Sequence, residues 1–171
     1  MLRAGWVVVV LAGATSACAS SGAVPRPFPM PSKGSPAGPA TPATRPATGV
    51  DAYALVGTAL SLQGTPYRNG GSDPNGFDCS GFTQYVFAQY GVALPRDVRE
   101  QYRFGQTIEP RDLAPGDLVF FATTDTGPSH VAIVVGGDQF VHAPSTSGVV
   151  RVERISSSYW STRYLGARRI S

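Results

Sequence analysis

The chain has 171 residues, with 14 Lys and Arg against 11 Asp and Glu and a sequence pI near 9.1. The basic excess belongs to the first 50 residues: apart from Arg3, Arg26, Lys33 and Arg45, ten basic residues face all 11 acidic ones, so the rest of the chain is close to neutral. No basic patch with interleaved aromatics occurs after residue 50, which removes the case for a nucleic-acid partner, and the 121 residues from Asp51 to Ser171 suffice for one domain with one core.

Residues 1–17 read as an export signal: Arg3 supplies the positive end, Val7 to Ala14 the apolar run, and small residues lead to Cys18. That run is too short to span a bilayer. Thr15-Ser16-Ala17-Cys18 resembles a lipobox, in which the signal is cut before a cysteine that carries lipid, although Thr15 stands where Leu is usual. Cleavage after Ala19 is the alternative, giving a secreted soluble protein. Residues 18–50 follow as the anchor cysteine and a linker. Eight prolines lie among the 31 residues from Ser20 to Val50, mostly with Ala, Gly, Ser and Thr, and such a composition cannot offset the entropy of ordering. The expected result is a semi-extended spacer that holds a domain over residues 51–171 away from a membrane surface.

Within that domain Asp51 is positioned to cap a first helix with Tyr53, Leu55, Val56, Ala59, Leu60 and Leu62 on its apolar face, ended by Gly64-Thr65-Pro66. Asp78 is an N-cap candidate for a second helix that begins at Cys79 and stops at Gly91. A short polar helix runs from Pro95 to Arg103. The pattern then changes to strands: 117–121, 130–135, 139–143, 149–152 and 165–170, with Gly136-Gly137 as a hairpin turn. Helices followed by an antiparallel meander predict an α+β fold.

The chemistry concentrates on few residues. Cys79 is a lone thiol at a helix start, where free backbone N–H groups and the helix dipole favour a thiolate, with pKa values in such settings of roughly 3.5–7.5. Its sole rival partner is Cys18, and a disulfide between them would tie the tail to a helix start. The chain has two histidines, both in strand-like segments. Alternation puts His130 on one face with Ala132 and against Val131 and Ile133, and His142 on one face with Phe140. A hairpin between them makes the two histidines neighbours. A thiol beside two imidazoles is the outline of a cysteine hydrolase.

The residues that surround this outline resemble the NlpC family of bacterial cell-wall cysteine peptidases, with its rearranged papain-like fold. The stretches are Gly64-Thr65-Pro66-Tyr67 with Gly70-Gly71, Gly76 to Phe82, Leu94-Pro95-Arg96 with Glu100-Gln101, Pro115 to Phe121, Ser129 to Ile133, Phe140 to Ala143 and Arg168-Arg169. The pattern is nearest to single-domain, lipid-anchored endopeptidases of the Spr type. The resemblance implies N-terminal helices, one carrying the nucleophile, packed on a central antiparallel sheet. It implies Cys79 as nucleophile, His130 as base and His142 as the group that orients it, with Tyr67, Asp78 and Ser80 in oxyanion or substrate contacts. The implied substrates are peptidoglycan stem peptides or cross-links containing a D-amino acid or diaminopimelate. No metal or organic cofactor is implied, and the protein is expected to be a monomer held in the cell envelope by lipid on Cys18.

Ala132 departs from the usual Gly and is expected to narrow the groove beside His130; Arg68 also stands where an apolar residue is common. Plainer roles exist for several of these residues: Asp78 as a cap only, Tyr67 as packing beside Pro66, and Asn, Gln or Asp elsewhere in place of His142. Other classes also remain: a zinc site built from Asp78, Cys79, His130 and His142, a noncatalytic wall-binding protein, or an amidase or acyltransferase on the same fold.

Overall fold

The computed structural model describes residues 49–171. The expected signal and the linker as far as residue 48, Cys18 included, lie outside the described residues. Among those described, no helix is long and apolar enough to cross a membrane.

Helix α1 (Ala52–Ser61) starts where Asp51 accepts hydrogen bonds from Tyr53 N and Ala54 N, and it buries Leu55, Val56 and Ala59. A two-stranded ribbon, β1 (Ser72–Asp73) and β2 (Gly76–Phe77), leads into helix α2 (Cys79–Ala88). Gly91, at φ 76°, ends the turn after α2 in a conformation that glycine adopts without strain. Helix α3 (Val98–Arg103) is capped by Asp97, so it starts three residues after the expected Pro95.

Six strands then form one antiparallel sheet: β3 (Gln106–Ile108), β4 (Leu118–Phe121), β5 (His130–Gly136), β6 (Gln139–His142), β7 (Arg151–Arg154) and β8 (Tyr164–Arg169), in the order β3-β8-β4-β5-β6-β7. The α+β expectation therefore holds, with two differences. The last strand does not extend the meander but inserts between β3 and β4. The strand expected at 149–152 begins at Arg151, because Val149 instead bridges Pro66 and ties the loop before Tyr67 to the sheet.

Both faces of the sheet are covered, which is why β4 reads as an unbroken apolar run rather than an alternation. Phe120, Val131, Ile133 and Val141 pack with Phe82, Val86 and Phe87 of α2 and with Leu55 of α1. Val119, Phe121, Ala132, Val134 and Phe140 pack on the other face under Trp160, which belongs to a four-residue helix, α4 (Ser158–Ser161). Ala132 is thus a core residue and its methyl does not reach a groove, contrary to the sequence expectation.

One buried charge ties the sheet together. Asp117, 1% exposed, accepts two hydrogen bonds from Arg169 at 2.7 Å each and a third from Ala114 N at 2.8 Å. A desolvated carboxylate is tolerated only when paired in this way. That accounts for the closing arginine of the motif as a structural residue joining β8 to the start of β4.

Candidate active site

The start of α2 is built by Asp78 in extended conformation, whose Oδ1 accepts from Gly81 N at 2.7 Å. Its Oδ2 accepts from Gly70 N at 3.0 Å and from Arg96 at 2.5 Å, and Arg96 also donates to Ser80 Oγ at 2.7 Å. Both carboxylate oxygens are therefore engaged, and the capping role expected from the sequence is the one observed. Gly81 must be glycine: a Cβ there would lie 2.0 Å from the carbonyl oxygen of Gly71, so the loop of Gly70-Gly71 closes directly onto the helix. Buried Gln101 completes the support, donating to Ser80 O and Pro95 O and accepting from Thr83 Oγ1.

This scaffold places Cys79, a free thiol, in the first turn of α2, with the N–H groups of Val131, Ser80 and Cys79 itself directed at its sulfur. The thiol therefore lies against the first residues of β5, one position from His130. Its pKa departs from the sequence expectation. Burial, and then the negative charge of Asp78, push it up to about 11, and the three N–H groups oppose this without reversing it. A helix start lowers a thiol pKa when the sulfur is partly exposed, and here desolvation wins.

The hairpin brings the histidines together as alternation requires. β5 and β6 pair Val134 with Phe140 and Ile133 with Val141, so the register continues with Ala132 opposite His142, and His130 one diagonal step away on the same face. The turn itself falls at Gly137-Asp138, with Gly137 at φ 57°. His130 Nε2 and His142 Nδ1 are 2.7 Å apart, with the rings at 89° to one another. Burial pushes His130 down to about 4, and it pushes His142 lower still, helped by the charges of His130 and Arg151. At neutral pH the thiol and both imidazoles are thus uncharged.

These two depressed values fix the direction of a stability effect. Below the unfolded histidine pKa of about 6.5 the unfolded chain takes up protons that the native site refuses, so stability falls as pH drops from 6.5 toward 4, and the contribution of the two histidines is constant above that window. Urea denaturation at pH 7, 5.5 and 4.5 is expected to show this fall, each histidine adding at most ~1.4 kcal/mol per pH unit. The slope should be smaller in His142→Asn; a flat profile in the native protein, or an unchanged slope in the variant, would contradict the burial described.

Trp160 completes the site and was not apparent in the sequence. Its ring stacks on His130 at 5.3 Å and meets His142 edge-on at 5.1 Å, while its Nε1 donates to Glu153. Nothing in Ser-Tyr-Trp-Ser at 158–161 signals this contact, because four residues carry no periodicity. Tyr67 is half-buried beside Cys79 and Asp78; burial first, and then the neighbouring Cys79 and Asp78, raise its phenol pKa, so it is a protonated donor at neutral pH. His130 opens on a groove of about 160 Å³ lined by Thr123, Thr124, Thr146, Tyr159 and Trp160. A larger cavity, about 380 Å³, lies between Leu113, Ile155 and Tyr164 and contains neither thiol nor imidazole. Among the described residues, no group of three or more His, Cys, Asp or Glu converges to hold a metal.

The sequence profile of the NlpC/P60 family matches residues 64–169. A gamma-DL-glutamyl hydrolase of Bacillus subtilis is 44% identical over 121 residues, which cover 68% of this chain and 29% of that protein. A protein of Escherichia coli named murein DD-endopeptidase MepS/murein LD-carboxypeptidase is 45% identical over 109 residues, or 63% of this chain and 57% of that one. The chain thus spans less than two thirds of the length of either curated relative. A crystal structure of an NlpC/P60 family protein from Bacillus cereus superposes with a TM-score of 0.66 at 35% identity, covering 69% of this chain and 39% of that one.

Proposed function

Since the chain belongs to the NlpC/P60 family, we propose that it is a cysteine peptidase that hydrolyses peptidoglycan stem peptides or cross-links at bonds including a D-amino acid or diaminopimelate. The observation that supports this most is the 2.7 Å contact between His130 Nε2 and His142 Nδ1, made one residue from the Val131 N–H that faces the Cys79 sulfur. The names of the two curated relatives, a murein endopeptidase and a DL-glutamyl hydrolase, support the substrate class.

In this reading Cys79 and His130 start neutral, unlike a preformed thiolate–imidazolium pair. His130 Nδ1, the nitrogen not spent on His142, takes the thiol proton as sulfur attacks the carbonyl carbon. The Cys79 N–H at the helix start, with the Tyr67 O–H, stabilises the tetrahedral oxyanion. The imidazolium then protonates the departing amine, leaving a thioester that water hydrolyses with His130 again as base. His142 holds the His130 ring. Asp78 and Ser80 hold the helix start through Gly81 and Arg96, and the lone pairs and hydroxyl proton left over are what they would offer to the amino end of a substrate.

Lipid on Cys18 and the proline-rich spacer would place this site at the cell wall from a membrane surface, and the domain is read as acting as a monomer. The test of substrate is product identity. Purified protein incubated with cross-linked muropeptide dimers is expected to yield fragments whose masses place the cut at a bond involving a D-amino acid or diaminopimelate. Cleavage only between L-residues, or transfer to an added amine without hydrolysis, would overturn the proposal.

A further inference from the structure

His142 poses a question that the pair of histidines does not answer alone. Each neutral imidazole carries one N–H, and one proton lies in the contact between them. If His142 Nδ1 bears it, His130 Nε2 accepts and His130 Nδ1 is protonated, so His130 cannot serve as a base toward Cys79. If His130 Nε2 bears it, His130 Nδ1 presents a lone pair to the thiol. Only the second arrangement is productive, and something must select it.

The selecting group lies on the neighbouring strand. His142 Nε2 is fully buried with no hydrogen-bond partner, and Glu153 Oε1 stands 3.7 Å from it. Strand pairing sets this up: Phe140 faces Glu153 and His142 faces Arg151 across β6 and β7, so both charged side chains share the face of His142. Two donors hold the carboxylate, Arg151 Nε at 3.0 Å on Oε1 and Trp160 Nε1 on Oε2. Trp160 is the same ring that stacks on His130. At 3.7 Å the contact is an ion-pair distance, and a shift of about 1 Å by Glu153, whose side chain is partly exposed, would close it to a hydrogen bond.

We infer that Glu153 is a positioning residue that selects the His142 tautomer with its proton on Nε2, and thereby turns the free nitrogen of His130 into a base. This rests on the cysteine-peptidase reading above. A carboxylate favours an N–H pointing at it and repels a lone pair, so His142 Nδ1 is left as acceptor and His130 Nε2 as donor. When His130 becomes an imidazolium, the same carboxylate, reached through His142, stabilises the added charge. Arg151 balances that carboxylate in the resting state.

Glu153→Gln keeps the shape and the acceptor for Trp160, but it removes the charge and offers an N–H to His142 Nε2. Its kcat on muropeptide dimers is expected to fall by on the order of 10–100-fold with KM changed less than about twofold. Glu153→Asp should recover part of that loss. Nitrogen-15 spectra of the histidine side chains give a readout independent of turnover. The native protein should show His142 protonated at Nε2, and Glu153→Gln should show a shift of the proton toward Nδ1. A native His142 protonated at Nδ1 overturns the inference whether or not the variant folds, as does a Glu153→Gln protein with native kcat and native tautomer. Failure of the catalytic reading looks different: His142→Ala would then keep full activity. A large loss in His142→Ala with none in Glu153→Gln refutes the role of Glu153 alone.

Discussion

Cys79→Ala is expected to remove turnover of muropeptides, with kcat reduced by ~10⁴-fold or more while the domain stays folded. The thiol is the strongest nucleophile in the site, and without it no covalent intermediate can form. The helix-start N–H groups and Tyr67 would remain, but they stabilise an oxyanion only after attack. Folding should survive because the change deletes one sulfur atom from the rim of the core, while Asp78, Gly81 and Gln101 still fix the start of α2. The measurement is initial rate against near-ultraviolet circular dichroism on the same sample. A folded Cys79→Ala protein that turns over at the native rate would end the cysteine mechanism.

The second large effect belongs to His142. His142→Ala should lower kcat by on the order of 10–1000-fold with little change in KM, because the ring acts on the geometry of His130 and does not line the groove. His142 is fully buried, so the truncation also leaves a cavity and should cost on the order of 2 kcal/mol in stability. His142→Asn separates the two effects, since its amide oxygen can still accept the His130 N–H and should recover part of kcat. Adding His142→Ala to His130→Ala should reduce the rate hardly further, as residues that act as a unit are not additive. Steady-state kinetics at matched fractions of folded protein decide this. Full kcat in His142→Ala would leave Cys79 and His130 as a dyad.

What could be read from the sequence was what depends on local periodicity. Asp78 as a cap needs only its own position and the helix after it, and it is a cap. The meeting of His130 and His142 needs only parity along two strands and a short turn, and the 2.7 Å contact follows. What could not be read depends on packing between distant segments. The thiol pKa turned on how deeply β5 covers the sulfur, which outweighed the helix start. The contact of Arg96 with both Asp78 and Ser80 could not be read, because a residue 18 positions beyond Asp78 gives no sign in sequence of folding back onto the helix start. Ala132 looked like a groove residue beside His130, but in the folded sheet it packs with Phe121 and Phe140, and the core claimed it. Glu153 was hidden by the stretch between β6 and β7, which conceals the register that sets it beside His142. Trp160 sits on a helix too short to announce itself.

The most direct test of the central claim is the release of new amino groups from purified peptidoglycan sacculi, followed with native protein and Cys79→Ala side by side in the presence of EDTA. The account predicts steady release by the native protein, unaffected by the chelator, and none by Cys79→Ala. Release that persists in Cys79→Ala, or that EDTA abolishes in the native protein, would contradict it.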